Sequence, residues 1–190
     1  MPHTRNAILA PHGIDRSIAV PRYADPYDGR TACISVGSML FDNTFFTIAA
    51  AQFPEIQFHV IGAGKADVST MTHPNILVHP EMAFAATLPY LQHATFGVAP
   101  YRDADTPRYL IDTSLKLRQF SLFGIPAVCP QFATGGMPGR FGYIPGDAAS
   151  IRVAVEGALS NRQPITDSSP TWSEVVDRIL QPQDYPDTML

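Results

Sequence analysis

The residues best placed to meet an anion lie together at 112–119, reading Asp112-Thr113-Ser114-Leu115-Lys116-Leu117-Arg118-Gln119. Asp112 or Thr113 suits the N-cap of a helix over 113–123, which Gly124 would close. The first-turn amides of such a helix, Ser114's among them, have no helical acceptor, and the helix dipole draws negative charge to that end. Lys116 and Gln119 are three residues apart and share a face there, while Leu117, Phe120 and Gly124 face another way, toward a core. Amides, dipole and ammonium together suit a phosphate. The chain has only two lysines, Lys65 and Lys116, which favours this reading over a surface side chain lying along its stem.

Other candidates stand where short apolar runs end. Gly37-Ser38-Met39 follows the run at 32–36, where a glycine turn lets backbone approach a ligand. Glu81 and Met82 follow the run at 76–80, and a carboxylate there suits ribose hydroxyls or a base edge. Tyr101 follows the run at 96–100 and could stack on a base, although a tyrosine bordering a core is commoner. Asp103 and Asp105 form an acid-x-acid pair with no third ligand in view, which favours a charged loop over a metal site. Gly62-Ala63-Gly64-Lys65 lacks the third glycine, the following helix and the later acidic residue of a dinucleotide fingerprint, so it reads as a glycine turn. The glycine-rich stretch at 135–142 reads as a flexible loop, with Arg140 able to offer charge over a ligand. The six histidines show no metal-ligand spacing, and no nucleophile–base arrangement is visible.

These positions need a scaffold, and proline outlines it. Pro80, Pro100 and Pro130 each end a continuous apolar run, which suits strands buried on both faces of a parallel sheet and stopped at their exits. Two more strands read at 32–36 and 56–61. Helical patterns fill the gaps at 43–52 after Asp42, 83–91, 113–123, 148–160 with Ile151, Val155, Ala158 and Leu159 on one stripe, and 171–180. Strand and helix alternate at short spacing, predicting an α/β fold: a Rossmann-like parallel sheet with helices on both faces. Residues 31–165 would form that domain. Residues 1–30 hold one stray strand at 6–10 and a linker, and 166–190 hold a loop, a final helix with Trp172, and a tail.

Composition narrows the function classes. The 190 residues carry 13 Lys+Arg against 17 Asp+Glu, with 45% hydrophobic residues, so the chain is neither a disordered tail nor a duplex nucleic-acid binder. No apolar run approaches the ~18–20 residues of a membrane helix, and Met-Pro-His-Thr-Arg is not a signal peptide. Cys33 and Cys129 read as buried thiols of a reducing compartment.

Several segments in combination resemble the xanthan-type bacterial β-glucuronosyltransferases, inverting enzymes of the GT-B fold. They are Ser35-Val-Gly-Ser-Met-Leu-Phe-Asp42, Phe58-His-Val-Ile-Gly62, Glu81-Met82, Phe96-Gly-Val-Ala-Pro-Tyr101, Ser114-Leu-Lys-Leu-Arg-Gln119, Phe123-Gly-Ile-Pro-Ala-Val-Cys-Pro130 and Arg140-Phe-Gly-Tyr143. The resemblance covers the chain from about residue 6 to 190 and implies the C-terminal, donor-binding domain of such an enzyme. It implies UDP-glucuronate as donor, no cofactor and no metal. It places Glu81, Met82, Tyr101, Leu115, Lys116 and Gln119 at the donor, with Lys116 at the diphosphate or the sugar carboxylate; Ser38 and Met39 of the first strand exit and Ser114 of the helix start, read from position, complete the expected donor-binding set. Leu115 stands where the family often has methionine.

The resemblance further implies an N-terminal acceptor domain as partner, carrying the aspartate base and meeting a lipid-linked oligosaccharide at the cytoplasmic face of the plasma membrane. Segment 6–15 would be that domain's last strand and the linker, and 172–180 the helix that crosses back. This chain alone is then expected not to transfer sugar, since inversion needs an in-line base, and its uncovered apolar surface to favour self-association. Two other readings remain open: a freestanding UDP- or sugar-phosphate-binding module that works with a separate acceptor-domain chain, and a UDP-sugar epimerase, for which the carboxylate and histidine set is missing.

Overall fold

The computed structural model describes residues 10–64, 67–102 and 113–185. Six strands form one parallel sheet: β1 Ala32–Val36, β2 Gln57–Ile61, β3 Ile76–His79, β4 Phe96–Val98, β5 Ala127–Pro130 and β6 Arg140–Tyr143, in the order β3-β2-β1-β4-β5-β6. Five helices are described: α1 Thr44–Gln52, α2 Phe84–His93, α3 Leu115–Leu122, α4 Ala148–Ser160 and α5 Trp172–Leu180. The strand order reverses between β1 and β4, which opens a crevice at their carboxyl ends.

The two faces bury separate cores. Phe45, Phe46, Ile151 and Val155 bring α1 and α4 onto one face, with Cys33 of β1. Leu88, Leu91, Leu117 and Phe120 bring α2 and α3 onto the other, with Ile34 of β1. Adjacent residues of β1 feed opposite cores, as the strand period of two requires. Gly97 in β4 is what lets α3 sit close, since a Cβ there would lie 2.5 Å from the Phe120 ring. Both cysteines are buried and free.

Three expectations change. The stretch expected as a loop at 135–142 turns at Gly135, Gly136 and Gly139, then pairs as edge strand β6 against β5. Strand β3 is not buried on both faces; it is an edge strand with Val78 43% exposed. The cap of α3 is Ser114, whose Oγ accepts from Leu117 N at 3.2 Å, so the helix starts at Leu115, two residues later than expected, and Thr113 lies outside it. The predicted strand at 6–10, apart from Ala10, and Lys65, Asp103, Asp105 and Asp112 lie outside the described residues.

Segments 12–16 and 167–172 are clasped together. Ile14 pairs in parallel with Thr171 and donates its amide to Pro170 O at 2.8 Å. The Arg16 guanidinium donates to Ser169 O at 3.0 Å and lies 3.5 Å from the Asp167 carboxylate. Helix α5 opens with a reciprocal cap between Thr171 and Glu174. Its one buried residue is Val175, and it exposes Trp172, Val176, Ile179 and Leu180.

Candidate functional site

The crevice holds two adjoining cavities that share Val36, Gly37 and Ser38 at the exit of β1. The first, about 310 Å³, lies against the start of α3 and takes in Met39, Tyr101, Ser114, Leu115, Lys116 and Gln119. The second, about 250 Å³, lies beyond β2 and β3 and takes in Gly62, Gly64, Glu81 and Met82. All nine expected donor-binding residues therefore line one cleft, drawn from three strand exits and the start of one helix.

The wall of the first cavity is built from buried polar contacts. Tyr101, 2% exposed, shares a 2.5 Å hydrogen bond with the Ser114 hydroxyl. That hydroxyl also caps α3, so one group fixes both the tyrosine and the helix end. Burial pushes the Tyr101 phenol's pKa up, which keeps it neutral. Its ring is consequently a wall rather than an ionising group. The preceding turn is held in a rare shape: Gly37 at φ +84° and Leu40 at φ +51°. A left-handed non-glycine residue beside a cleft is strain of the kind that persists where its surroundings hold it. Here Arg102 N donates to Leu40 O at 2.6 Å and Asp42 N to Pro100 O at 2.7 Å.

Lys116 is half-buried behind this wall. Its Nζ donates weakly to Gly37 O at 3.4 Å and Ser35 Oγ at 3.5 Å and sits 5.8 Å from the Tyr101 ring centroid. No described carboxylate pairs with it. Burial without a counter-charge lowers its pKa to about 7. An ammonium held so is short of an anion, and one that entered the cavity would restore its charged form. Gln119, buried and one turn on, faces the same cavity.

The second cavity is looser. Glu81 is exposed and packs by its Cα against Gly62, which is glycine for its φ of +64° rather than for space, since a Cβ there would make an ordinary 3.7 Å contact. Gly64, the second glycine of the turn, would clash with Ser38 Oγ at 2.8 Å if it carried a Cβ. The glycine turn expected there is thus also a cleft wall.

Arg140 is not part of the cleft. Its guanidinium donates to Ala133 O and Thr134 O at 3.4 and 3.5 Å and lines a separate depression with Gln131 and Met137. His12, which nothing in its spacing distinguished, does line the first cavity, as does Thr113.

The chain is 41% identical over 189 residues to the UDP-glucuronate:glycolipid 2-beta-glucuronosyltransferase of Xanthomonas campestris pv. campestris, covering 97% of this chain and 46% of that enzyme. It corresponds to one half of that enzyme, the C-terminal half. Thus the chain spans about half the length of its curated relative. No family model matches. Among solved structures, the sucrose-phosphate synthase of Thermosynechococcus elongatus superposes with TM-score 0.66 at 12% identity, over 92% of this chain and 51% of that one. AviGT4, a glycosyltransferase of avilamycin A biosynthesis, gives 0.62 at 12% identity, over 92% and 57%. The architecture is that of a GT-B glycosyltransferase domain. A UDP-N-acetylglucosamine 2-epimerase from Listeria monocytogenes, described by its authors as putative, gives 0.51 at 11% identity, over 91% and 53%, so the fold by itself does not separate transferase from epimerase.

Proposed function

We propose that this chain is the donor-binding half of a glucuronosyltransferase, and that its crevice holds UDP-glucuronate with the diphosphate on Lys116. The observation that carries the reading is the lone ammonium, desolvated and without a described carboxylate partner, at the strand-order reversal. The similar enzyme's name supplies the sugar and the acceptor class. In this reading Glu81 meets the ribose or base, Met82 and Tyr101 flank the nucleotide, and Ser38, Met39, Ser114, Leu115 and Gln119 complete the pocket. Lys116 neutralises diphosphate charge in the way a metal ion does elsewhere, so binding needs no metal.

The acceptor, a glycolipid carrying an oligosaccharide of exopolysaccharide synthesis, would be held by an N-terminal domain that also supplies the base. That domain would cover the apolar side of α5, which this chain leaves exposed. Alone, the chain would bind donor without transferring sugar, would tend to self-associate through that side, and would work at the inner face of the plasma membrane once joined to its partner. Among the described residues no helix is long and apolar enough to cross a membrane.

Calorimetric titration with UDP, ADP, UDP-glucose and UDP-glucuronate, each in magnesium and in EDTA, tests the reading. The expected result is metal-independent binding of UDP in preference to ADP, with UDP-glucuronate tighter than UDP-glucose. Absence of uridine nucleotide binding overturns it.

A further inference from the structure

His12 reaches the first cavity from outside the sheet. Its neighbours fix its path. Gly13 lies flat against Trp172, where a Cβ would fall 2.7 Å from that residue's backbone and ring, and Ile14 is paired to Thr171. The exposed His12 ring stands edge-on to Trp172, with centroids 6.2 Å apart and planes at 77°. The clasp between two segments some 150 residues apart in sequence therefore delivers one side chain to the cleft.

The charge of that cavity makes the delivery significant. Among its described lining residues, Lys116 and His12 are the two that can carry positive charge, and none is acidic. A nucleoside diphosphate bonded to a uronic acid brings three anionic groups, more than one ammonium can meet. An imidazole offers an N–H donor in either protonation state, and donors to anionic oxygens form the stronger class of hydrogen bond.

Building on the donor-site reading above, we propose that His12 is a further donor-binding residue, its ring N–H donating to an anionic oxygen of the bound nucleotide sugar, either of a phosphate or of the sugar carboxylate. The fold thereby ties part of the donor site to the chain crossing rather than to the sheet.

The test titrates the chain and its His12→Phe, His12→Gln and Lys116→Ala variants with UDP, UDP-glucose and UDP-glucuronate, by calorimetry and by the emission of Trp172, the single tryptophan. His12→Phe keeps a ring against Trp172 but has no donor; it is expected to weaken UDP-glucuronate by roughly ten-fold or more, with an unchanged thermal midpoint. His12→Gln, which retains an N–H donor, recovers part of the loss. Equal weakening of all three ligands assigns the oxygen to a phosphate; weakening of UDP-glucuronate alone assigns it to the carboxylate. Ligand is expected to change Trp172 emission in the wild type, and to change it less in His12→Phe at matched saturation. Wild-type affinity of His12→Phe for all three ligands, while Lys116→Ala loses binding, overturns the assignment and leaves the donor-site reading standing. If the wild-type chain binds none of them, both fall.

Discussion

The two lobes of the cleft share Ser38 yet are built in opposite ways. In the lobe beside α3, three polar side chains are tethered: Tyr101 to Ser114, Ser114 to the helix it caps, Lys116 to Gly37 and Ser35. In the lobe beside β3, Glu81 stands exposed at the strand's exit, next to the glycine turn that follows β2. The first lobe holds a desolvated amine in place before any ligand arrives, its charged form disfavoured in the unliganded fold; the second presents a solvated carboxylate at almost no cost. Preorganised charge is what discriminates an anion, whereas an exposed carboxylate makes a weaker, more adjustable contact.

The strongest way to break that contrast is Lys116→Met. Removing the one ammonium is expected to lower UDP affinity by about 100-fold, while stabilising the empty chain by about 1 kcal/mol because a half-buried charge is gone. The sign with pH follows from the lowered pKa. Between about 7 in the fold and the ordinary 10.5, the unfolded chain binds the extra proton, so wild-type stability rises with pH across that interval and its penalty is fully present below it. Urea melts from pH 7 to 10 are expected to show a rise that Lys116→Met lacks.

Gly97→Ala comes next. It would place a methyl 2.5 Å from the Phe120 ring and push α3 off the sheet, costing about 2–3 kcal/mol by overpacking and loosening UDP binding without touching the cleft. Ser114→Ala removes both a helix cap and a partner of the buried Tyr101 hydroxyl, for about 2 kcal/mol in chemical denaturation. The smallest effect belongs to the other lobe: Glu81→Gln is expected to weaken UDP by only a few-fold, roughly 1 kcal/mol, and to leave the melting temperature unchanged. A Glu81 effect on stability as large as that of Ser114 would erase the distinction.

Much of the scaffold was legible in the sequence because its signals are local. Proline after an apolar run marked β3 and β4, and the stripe of Ile151, Val155, Ala158 and Leu159 marked α4, whose start Asp147 caps by accepting from Ser150 N at 2.7 Å. Strand β6 was hidden because its glycines, needed for the turn and for Gln131 to pack over Gly142, are the composition of a mobile loop. The start of α3 was misread by two residues because Asp112, Thr113 and Ser114 can all cap, and only Tyr101, thirteen residues back, makes Ser114 the favoured one. The scarcity of lysine pointed to Lys116, but its separation from every described carboxylate is a tertiary fact. His12 was invisible for the same reason, since its place depends on pairing between Ile14 and Thr171.

The central claim is that Lys116, without a counter-charge among the described residues, waits for the nucleotide's diphosphate. It is tested most directly by counting protons taken up on UDP binding, through calorimetry at pH 8 in buffers of different ionisation enthalpy. With a pKa of about 7 in the empty cleft, the amine is mostly neutral at that pH and must gain a proton as the anion binds. The account predicts uptake approaching one proton in the wild type, and binding without that uptake in Lys116→Arg, which is always charged. UDP binding with no proton uptake in the wild type, or equal uptake in Lys116→Arg, would contradict it.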